Sequence, residues 1–337
     1  MTRGLSGEPM SASKVISTGW RLYTSNFSKF CWIALVATGW SLIPTVANLL
    51  MTFAPVYLGK PLSVGLSILL LLIVIVLFIF CTAQSLGQFA GISRITYRSL
   101  SGTLEGGIAE TDRAALRLTR SRKFSFLGAT ILQSFIVFFL TVALLIAIAV
   151  IVLLMMAILS RLGGTAGLDG NSPVVTLVFG VITIAAVLVV AIIYSYVFTR
   201  FMLIEQPLAV EENCGAIDAI ARSWELTKHH VWHTAAVAFL LFVVVGLGYI
   251  VVFALLGTLL FSVVFGTVST GAALDPNAMV LVLLPFYAGI IVFSLVASVV
   301  IVPFFKTTFT VLYFDLHNRL ARRSFRDRLN ADPASNL

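Results

Sequence analysis

Long apolar stretches separated by short polar segments make up most of this chain. Six stretches reach the ~20 residues that a helix needs to cross ~30 Å of hydrocarbon. They lie at residues 30–56, 62–92, 124–159, 174–204, 231–268 and 279–305. The apolar positions are continuous rather than alternating, and the blocks are too long for barrel strands. The pattern therefore predicts an all-α integral membrane protein with six transmembrane helices.

A short polar or amphipathic segment precedes each pair of apolar blocks. These segments lie at about residues 11–28, 104–123 and 213–230. Isoleucine, tryptophan and leucine recur at one spacing in the first and third segments. The matching residues are Ile16, Trp20 and Leu22, and Ile220, Trp224 and Leu226. The recurrence predicts a three-fold internal repeat with units at about 11–98, 104–205 and 213–318, followed by a basic tail at 319–337.

The third segment is the clearest amphipathic helix, with Asn213 as its expected N-cap. Four residues fall on one face at helical spacing. They are Ile217, Ile220, Ala221 and Trp224. We expect such a helix to lie in the membrane interface with its tryptophan at headgroup depth. A structural elbow that returns the chain to the bilayer is the favoured interpretation. A docking or lipid-sensing surface is the alternative.

Composition and charge agree with a membrane location. Hydrophobic residues make up 59% of the 337 residues, and charged residues make up only 11%, against about 25% in soluble domains. Twenty of the 22 lysines and arginines lie in the N-terminal segment, at or after the ends of the second and fourth blocks, and in the C-terminal segment. Such asymmetry predicts that both termini are cytoplasmic. It also accounts for the net charge of +8 without a nucleic-acid partner.

The first 28 residues have no apolar core of the kind that a cleavable signal peptide requires. We therefore expect the first apolar block to remain as a membrane anchor. The predicted location is a prokaryotic inner membrane or an internal photosynthetic membrane.

Five basic residues cluster before the third apolar block. They are Arg113, Arg117, Arg120, Arg122 and Lys123. Each basic residue near an anionic leaflet contributes on the order of 1 kcal/mol of attraction, so these side chains are candidates for binding anionic lipid headgroups. The favoured alternative is that they only orient the chain in the membrane.

A stripe of small residues, Ala83, Gly87 and Gly91, recurs at every fourth position of the second block. Such a stripe allows another helix to approach closely. The expected partner is a helix of the same chain, with a second copy as the alternative.

The middle of each predicted span has no aspartate, glutamate, lysine or arginine. This argues against an ion-coupled pump, because such residues mark ion and proton paths. The spacing of His229 and His233 suits a helical metal site, but no HExxH arrangement accompanies it. The cysteines Cys31, Cys81 and Cys214 form no paired motif. We therefore predict a protein that is not an enzyme, with no catalytic residue, metal or cofactor.

Three segments, 200–205, 219–227 and 312–319, resemble the membrane domain associated with glycerophosphoryl diester phosphodiesterases. The resemblance covers about the last 140 residues well and the rest by topology only. It implies the membrane domain alone, because no hydrophilic stretch is long enough for the ~250-residue catalytic barrel. The implied motif residues, which we interpret as structural, are Arg222, Ser223, Trp224, Glu225, Tyr313 and Asp315. We expect Asp315 to pair with Arg222 or Arg200.

These observations predict a scaffold, accessory or lipid-interacting membrane protein. The expected partners are membrane lipids with anionic headgroups, together with a protein partner or a second copy of the chain. The alternative function is a permease or channel for an uncharged or lipid-like substrate, because internal repeats are common in transporters.

Overall fold

The chain forms ten α-helices, and no strand, over the residues that its computed structural model describes, 10–58, 63–105, 111–166, 173–269 and 276–331. The helices are α1 (Ala12–Ser25), α2 (Phe27–Leu58), α3 (Val64–Glu105), α4 (Asp112–Ser121), α5 (Lys123–Ala166), α6 (Pro173–Phe201), α7 (Glu205–Val210), α8 (Ala216–Thr227), α9 (Val231–Ser269) and α10 (Pro276–Ala331). Parts of the predicted N-terminal segment, repeat units and basic tail lie outside these ranges, at residues 1–9, 59–62, 106–110, 167–172, 270–275 and 332–337.

The long helices carry the apolar blocks. Within the described residues, five segments are long and apolar enough to cross a membrane: Phe27–Thr52, Val64–Gly102, Lys123–Ile158, Gly180–Val210 and Gly289–Ser324. Helix α8 and the first part of α9, Val231–Leu247, form a sixth candidate that bends by 102° at its break. The prediction of an all-α, multi-pass membrane protein is confirmed at this level.

Each of the short helices α1, α4 and α8 precedes two long helices in the chain. The Ser11 hydroxyl caps α1 by accepting the Lys14 backbone N–H at 3.4 Å. Helix α4 has Asp112 in its first turn and Arg120 in its last, which complements the helix dipole.

Helix α8 begins later than its sequence pattern indicated. Its N-cap is Gly215, whose backbone N–H donates to the Asp218 carboxylate at 3.0 Å. The predicted Asn213 cap is wrong, because the helix begins at Ala216 and Gly215 holds the N-cap position, with Asp218 at the third helical position accepting its N–H. Helix α8 meets α9 at 102°, the geometry expected of an elbow.

Buried side chains concentrate at one end of the molecule. We call this end the base; it comprises α1, α4, α7, α8 and the adjoining ends of the long helices. The base core joins residues from distant parts of the chain. Its fully buried members include Val15, Ile92, Leu203, Leu312 and Tyr313. The C-terminal part of α3 and the part of α10 beyond residue 306 belong to this base, so both helices continue past the ends of their apolar blocks.

Close backbone approach fixes the short helices within the base. A Cβ on Gly19 of α1 would lie 2.5 Å from Thr308 Oγ1 and 2.9 Å from Thr308 Cα on α10. A Cβ on Gly91 of α3 would lie 2.4 Å from a methyl group of Leu116. The small-residue stripe of α3 therefore packs against α4 of the same chain.

Outside the base the long helices bury little. The most apolar windows of α5 and α6 contain no buried residue, and the corresponding window of α3 is 6% buried. Their side chains are therefore left to contact lipid, whose tails are as apolar as the side chains themselves.

Candidate functional site

A cavity of about 390 Å³ lies where the helix pairs leave the base. Its walls come from α3, α5, α6, α7, α9 and α10. Four phenylalanine rings form a continuous wall across α6, α9 and α10, with centroid separations of 6.4, 5.7 and 5.8 Å between neighbours. In order they are Phe198, Phe242, Phe305 and Phe309. This volume falls in the range of ~300–1,000 Å³ that is usual for small-molecule sites.

Two charged side chains of opposite sign interrupt the apolar lining. The Lys306 ammonium donates a hydrogen bond to Glu205 Oε2, and both side chains are largely buried. Glu205 Oε1 is also buried, and it has no hydrogen-bond partner within the described part of the chain. The neighbouring Gln206 is buried, and its Oε1 accepts from the Thr310 hydroxyl at 3.4 Å.

The local sequence explains the position of Glu205. Helix α6 ends at Phe201, and after a short turn α7 begins with Glu205 itself. Pro207 in the first turn of α7 costs no intrahelical hydrogen bond, because N–H groups there have no helical acceptor. The break between α6 and α7 therefore turns the carboxylate into the space between the helix pairs.

Two buried or half-buried arginines hold the α7–α8 connection in place. Arg94 Nη1 donates to the carbonyls of Ala209 and Val210, both at 3.2 Å, and Nη2 contacts the Glu212 carboxylate at 3.0 Å. Arg122 Nη1 donates to the carbonyls of Leu208 at 2.9 Å and Glu211 at 2.7 Å, and Nη2 to the carbonyl of Cys214. These contacts satisfy carbonyls that the end of α7 leaves without helical donors.

The basic cluster predicted to contact headgroups is divided by the fold. The guanidinium of Arg122 is committed to backbone carbonyls, and Arg120 Nη2 donates to Gln88 Oε1 at 3.0 Å. The Lys123 ammonium lies over the ring of Phe80 at 4.8 Å. Arg113 and Arg117 are exposed on α4. The spacing on one helix face could not distinguish these roles.

Three of the six motif residues, Tyr313, Arg222 and Ser223, connect α8 to its neighbours at two places, the Glu211 carboxylate and the Arg200 carbonyl. Glu211 accepts from the Tyr313 hydroxyl at 3.0 Å and from Arg222 Nε at 3.3 Å. The Ser223 hydroxyl donates to the Arg200 carbonyl at 2.7 Å.

Two of the three remaining motif side chains, Trp224 and Glu225, contact Arg200 and Arg222 at the same places. The guanidinium of Arg200 lies over the Trp224 ring at 4.8 Å, and Arg222 Nη1 contacts Glu225 at 3.4 Å. These contacts join α8 to α6, α7 and α10.

The predicted pairing of Asp315 with Arg222 or Arg200 is wrong. Asp315 Oδ2 lies 2.7 Å from Arg319 Nη2, one helical turn along α10, and 3.9 Å from His233 Nε2. Its Oδ1 accepts the Met10 backbone N–H at 3.1 Å. Arg222 and Arg200 have acidic or aromatic partners of their own.

The sequence interpretation missed the cavity pair. In the sequence analysis, Lys306 contributed only to the count of basic residues in the C-terminal segment. Glu205 was considered only as the last residue of the 200–205 motif segment. A signal was present, because an acidic and a basic residue each directly follow an apolar block. Their meeting, however, depends on the packing of α7 against α10.

Within the described residues, no group of three or more histidine, cysteine, aspartate or glutamate side chains is arranged to hold a metal. No family model, curated protein or solved structure matches this chain. The fold and its cavity are therefore the basis for the functional argument.

Proposed function

We propose that this chain is a non-enzymatic, lipid-interacting membrane protein whose cavity takes up an amphiphile from the surrounding leaflet. The cavity itself is the observation that carries this proposal. It combines a wall of phenylalanine rings with a buried charged pair, which suits a molecule with one apolar part and one polar part. Its lining includes residues of the apolar helices α5, α6, α9 and α10, so a lipid chain could extend along them.

The positions of exposed tryptophans support a lipid-binding cavity near the membrane surface. Four tryptophans are exposed on the short helices or near the starts of long helices; they are Trp20, Trp32, Trp224 and Trp232. Exposed tryptophans concentrate at the headgroup level of membranes. The cavity would then lie at the depth where lipid headgroups meet their chains.

The proposed topology has six spans in three repeat units, with the base and both termini in the cytoplasm. The recurring order of one short helix and two long helices supports the repeat. The distribution of lysine and arginine supports the orientation. Membership of the membrane-domain family named above remains part of this proposal, supported by the quoted motifs alone.

Photo-crosslinking tests the proposed function. The purified chain is placed in lipid nanodiscs with a trace of phospholipid that carries a diazirine in its acyl chain, and labelled peptides are identified by mass spectrometry. We expect labels on the cavity-lining parts of α5, α6, α9 and α10. Gln133→Trp should fill the cavity and reduce this label. Ser134→Trp, at the exposed neighbouring position on α5, should leave it unchanged.

Labels spread evenly over the exposed faces of the long helices, and equal in both variants, would refute the cavity assignment. The second candidate function is a permease for lipid-like substrates. It is favoured by the apolar windows of α5 and α6, which contain no buried residue and so leave their side chains available to a lipid-like substrate. Protein-dependent movement of a fluorescent lipid between the leaflets of a vesicle would support it, and movement equal to that in protein-free vesicles would exclude it for that lipid.

A further inference from the structure

The cavity presents one positive and one negative charge to whatever occupies it. Of the residues that line the cavity, all within the described ranges, two are charged, Glu205 and Lys306. They contact each other, so the site has no net charge. A purely anionic headgroup would be attracted by Lys306 but repelled by Glu205, and a cationic one would meet the opposite pair of forces. The charge pattern suits a headgroup that carries both signs.

The hydrogen bonding of the pair is incomplete in a specific way. A carboxylate accepts up to about four hydrogen bonds, and an ammonium donates three. Lys306 occupies Glu205 Oε2, whereas Oε1 is buried and has no donor within the described part of the chain. A buried polar atom without a partner is costly, and a charged one more so. Within the described part of the chain, the site therefore lacks an N–H or O–H donor for Glu205 Oε1, although Lys306 supplies one for Oε2.

We infer that the cavity selects a zwitterionic aminophospholipid, whose primary ammonium donates to Glu205 Oε1 and whose phosphate accepts from Lys306. The inference rests on the proposed function and names the ligand class for the same cavity. The acyl chains would lie against the phenylalanine wall at Phe198, Phe242 and Phe305, three of its four rings.

The number of N–H donors on the headgroup separates this ligand from its analogues. An ethanolamine headgroup has an ammonium with three N–H groups, whereas a choline headgroup has the same charge and none. Choline can still be attracted to aromatic rings, but it leaves Oε1 without a donor. A glycerol headgroup lacks the positive charge, and diacylglycerol lacks both charges.

The test uses four diazirine lipids with identical acyl chains and ethanolamine, choline, glycerol or no phosphate headgroup. Each is added in trace amounts to nanodiscs that contain the full chain, and the yield of cavity-peptide label is measured. We expect the ethanolamine lipid to label the cavity about tenfold more than the choline and glycerol lipids, as one charge-assisted hydrogen bond allows. Stepwise N-methylation of the ethanolamine lipid should lower the yield, with the largest loss at the last step.

Variants that remove one charge each test the assigned contacts. Glu205→Gln and Lys306→Met should each reduce the preference for the ethanolamine lipid to near parity. The matched controls are Asp112→Asn and Lys29→Met, which remove the same charges from an exposed ion pair of 2.6 Å at the surface of the base. These controls should keep the full preference. Because the wild-type protein alone suffices for the methylation series, misfolding of a cavity variant does not prevent the test.

The outcomes separate the two proposals. Equal labelling of the cavity by all four lipids, or a preference for the glycerol lipid, would overturn the headgroup inference and leave the proposed function standing. Absence of cavity label with every lipid would overturn both. A preference for ethanolamine that survives Glu205→Gln in a folded protein would also overturn the assigned contact.

Discussion

The base and the long helices of this protein are built from different kinds of contact. In the base, helices from both ends of the chain pack around buried leucine, isoleucine and tyrosine side chains, and buried arginines satisfy backbone carbonyls. The apolar windows of α5 and α6 contain no buried side chain. The comparison teaches that, in this protein, the specific tertiary contacts concentrate near the polar end, whereas the apolar helices depend on lipid for their environment.

The largest expected effect is the loss of a buried arginine from the base. Arg94 is 1% exposed and donates to the carbonyls at the end of α7. Arg94→Met should lower the free energy of unfolding by about 3–5 kcal/mol, because it leaves buried acceptors without a donor. Denaturant unfolding in detergent, followed by tryptophan fluorescence, measures this.

The control is Arg117→Met on the exposed surface of α4, which should change stability by less than about 0.5 kcal/mol. Equal changes in the free energy of unfolding for the two substitutions would mean that the hydrogen bonds of Arg94 in the base do not stabilise the fold.

The second prediction compares the stability effects of alanine at two glycines. Gly19→Ala places a Cβ within 3 Å of backbone and side-chain atoms of Thr308, so α1 and α10 must separate. We expect a loss of about 1–3 kcal/mol. Gly39→Ala, in α2, has nothing within 4 Å of its new Cβ and should be neutral or stabilise the helix by up to about 1 kcal/mol. The midpoint of thermal unfolding measures both; a loss of stability at Gly39 as large as at Gly19 would contradict the comparison.

A third prediction concerns the reactivity of a thiol in the base. Burial raises the pKa of Cys214, and the nearby carboxylates of Glu211 and Asp218 raise it further. The thiolate is the reactive form, so alkylation of Cys214 near neutral pH should be slow. The reaction rate of Cys214 is compared with that of an Ile217→Cys variant, whose new thiol is exposed on α8 and whose three native cysteines are replaced by alanine.

Mass spectrometry of a maleimide time course gives both rates. We expect the cysteine at position 217 to react faster, because the raised pKa of Cys214 lowers its thiolate fraction and its burial limits access. Comparable rates would indicate that the α7–α8 connection opens readily.

The smallest effect is a pH dependence. Burial lowers the pKa of His230, and Arg319, Arg323 and His233 lower it further, against an opposing effect of Asp315. The folded state therefore binds this proton less readily than the unfolded state. Stability from this source is fully present above the unfolded pKa of about 6.5 and falls as the pH drops below it.

We expect the unfolding midpoint of the wild-type protein to fall more between pH 7.5 and pH 5.5 than that of His230→Gln. Parallel curves for the two proteins would show that His230 makes no contribution to this dependence.

The sequence predicted the long helices well because an apolar block is a local signal. The observed helices contain all six predicted blocks almost completely within the described residues. The short helices α1, α4 and α8 also lie within the predicted segments, whereas α7 lies outside them. The N-cap of α8 was missed because Gly215 has no side chain to signal a cap, and its N–H is accepted by Asp218 at the third helical position.

The pairings within the base could not be predicted from spacing. Asp315 has three partners, two of which lie far away in sequence, and the arginines considered for it are held by other groups. Arg113, Arg117 and Arg122 appear equivalent in the sequence, yet the last is committed to the α7–α8 connection. The cavity pair likewise depends on how α7 and α10 pack.

The contact between Met10 and α10 has a consequence for the order of synthesis. The Met10 N–H donates to Asp315, and Arg319 Nη2 donates to the Met10 carbonyl at 2.9 Å, so the start of the chain binds a segment made about 305 residues later. Contacts of such long sequence separation form late. Until α10 has been made, α1 lacks the helix against which it packs, and the Tyr23 hydroxyl lacks the Val300 carbonyl as its acceptor. A chain interrupted before α10 would therefore lack the element that closes the base.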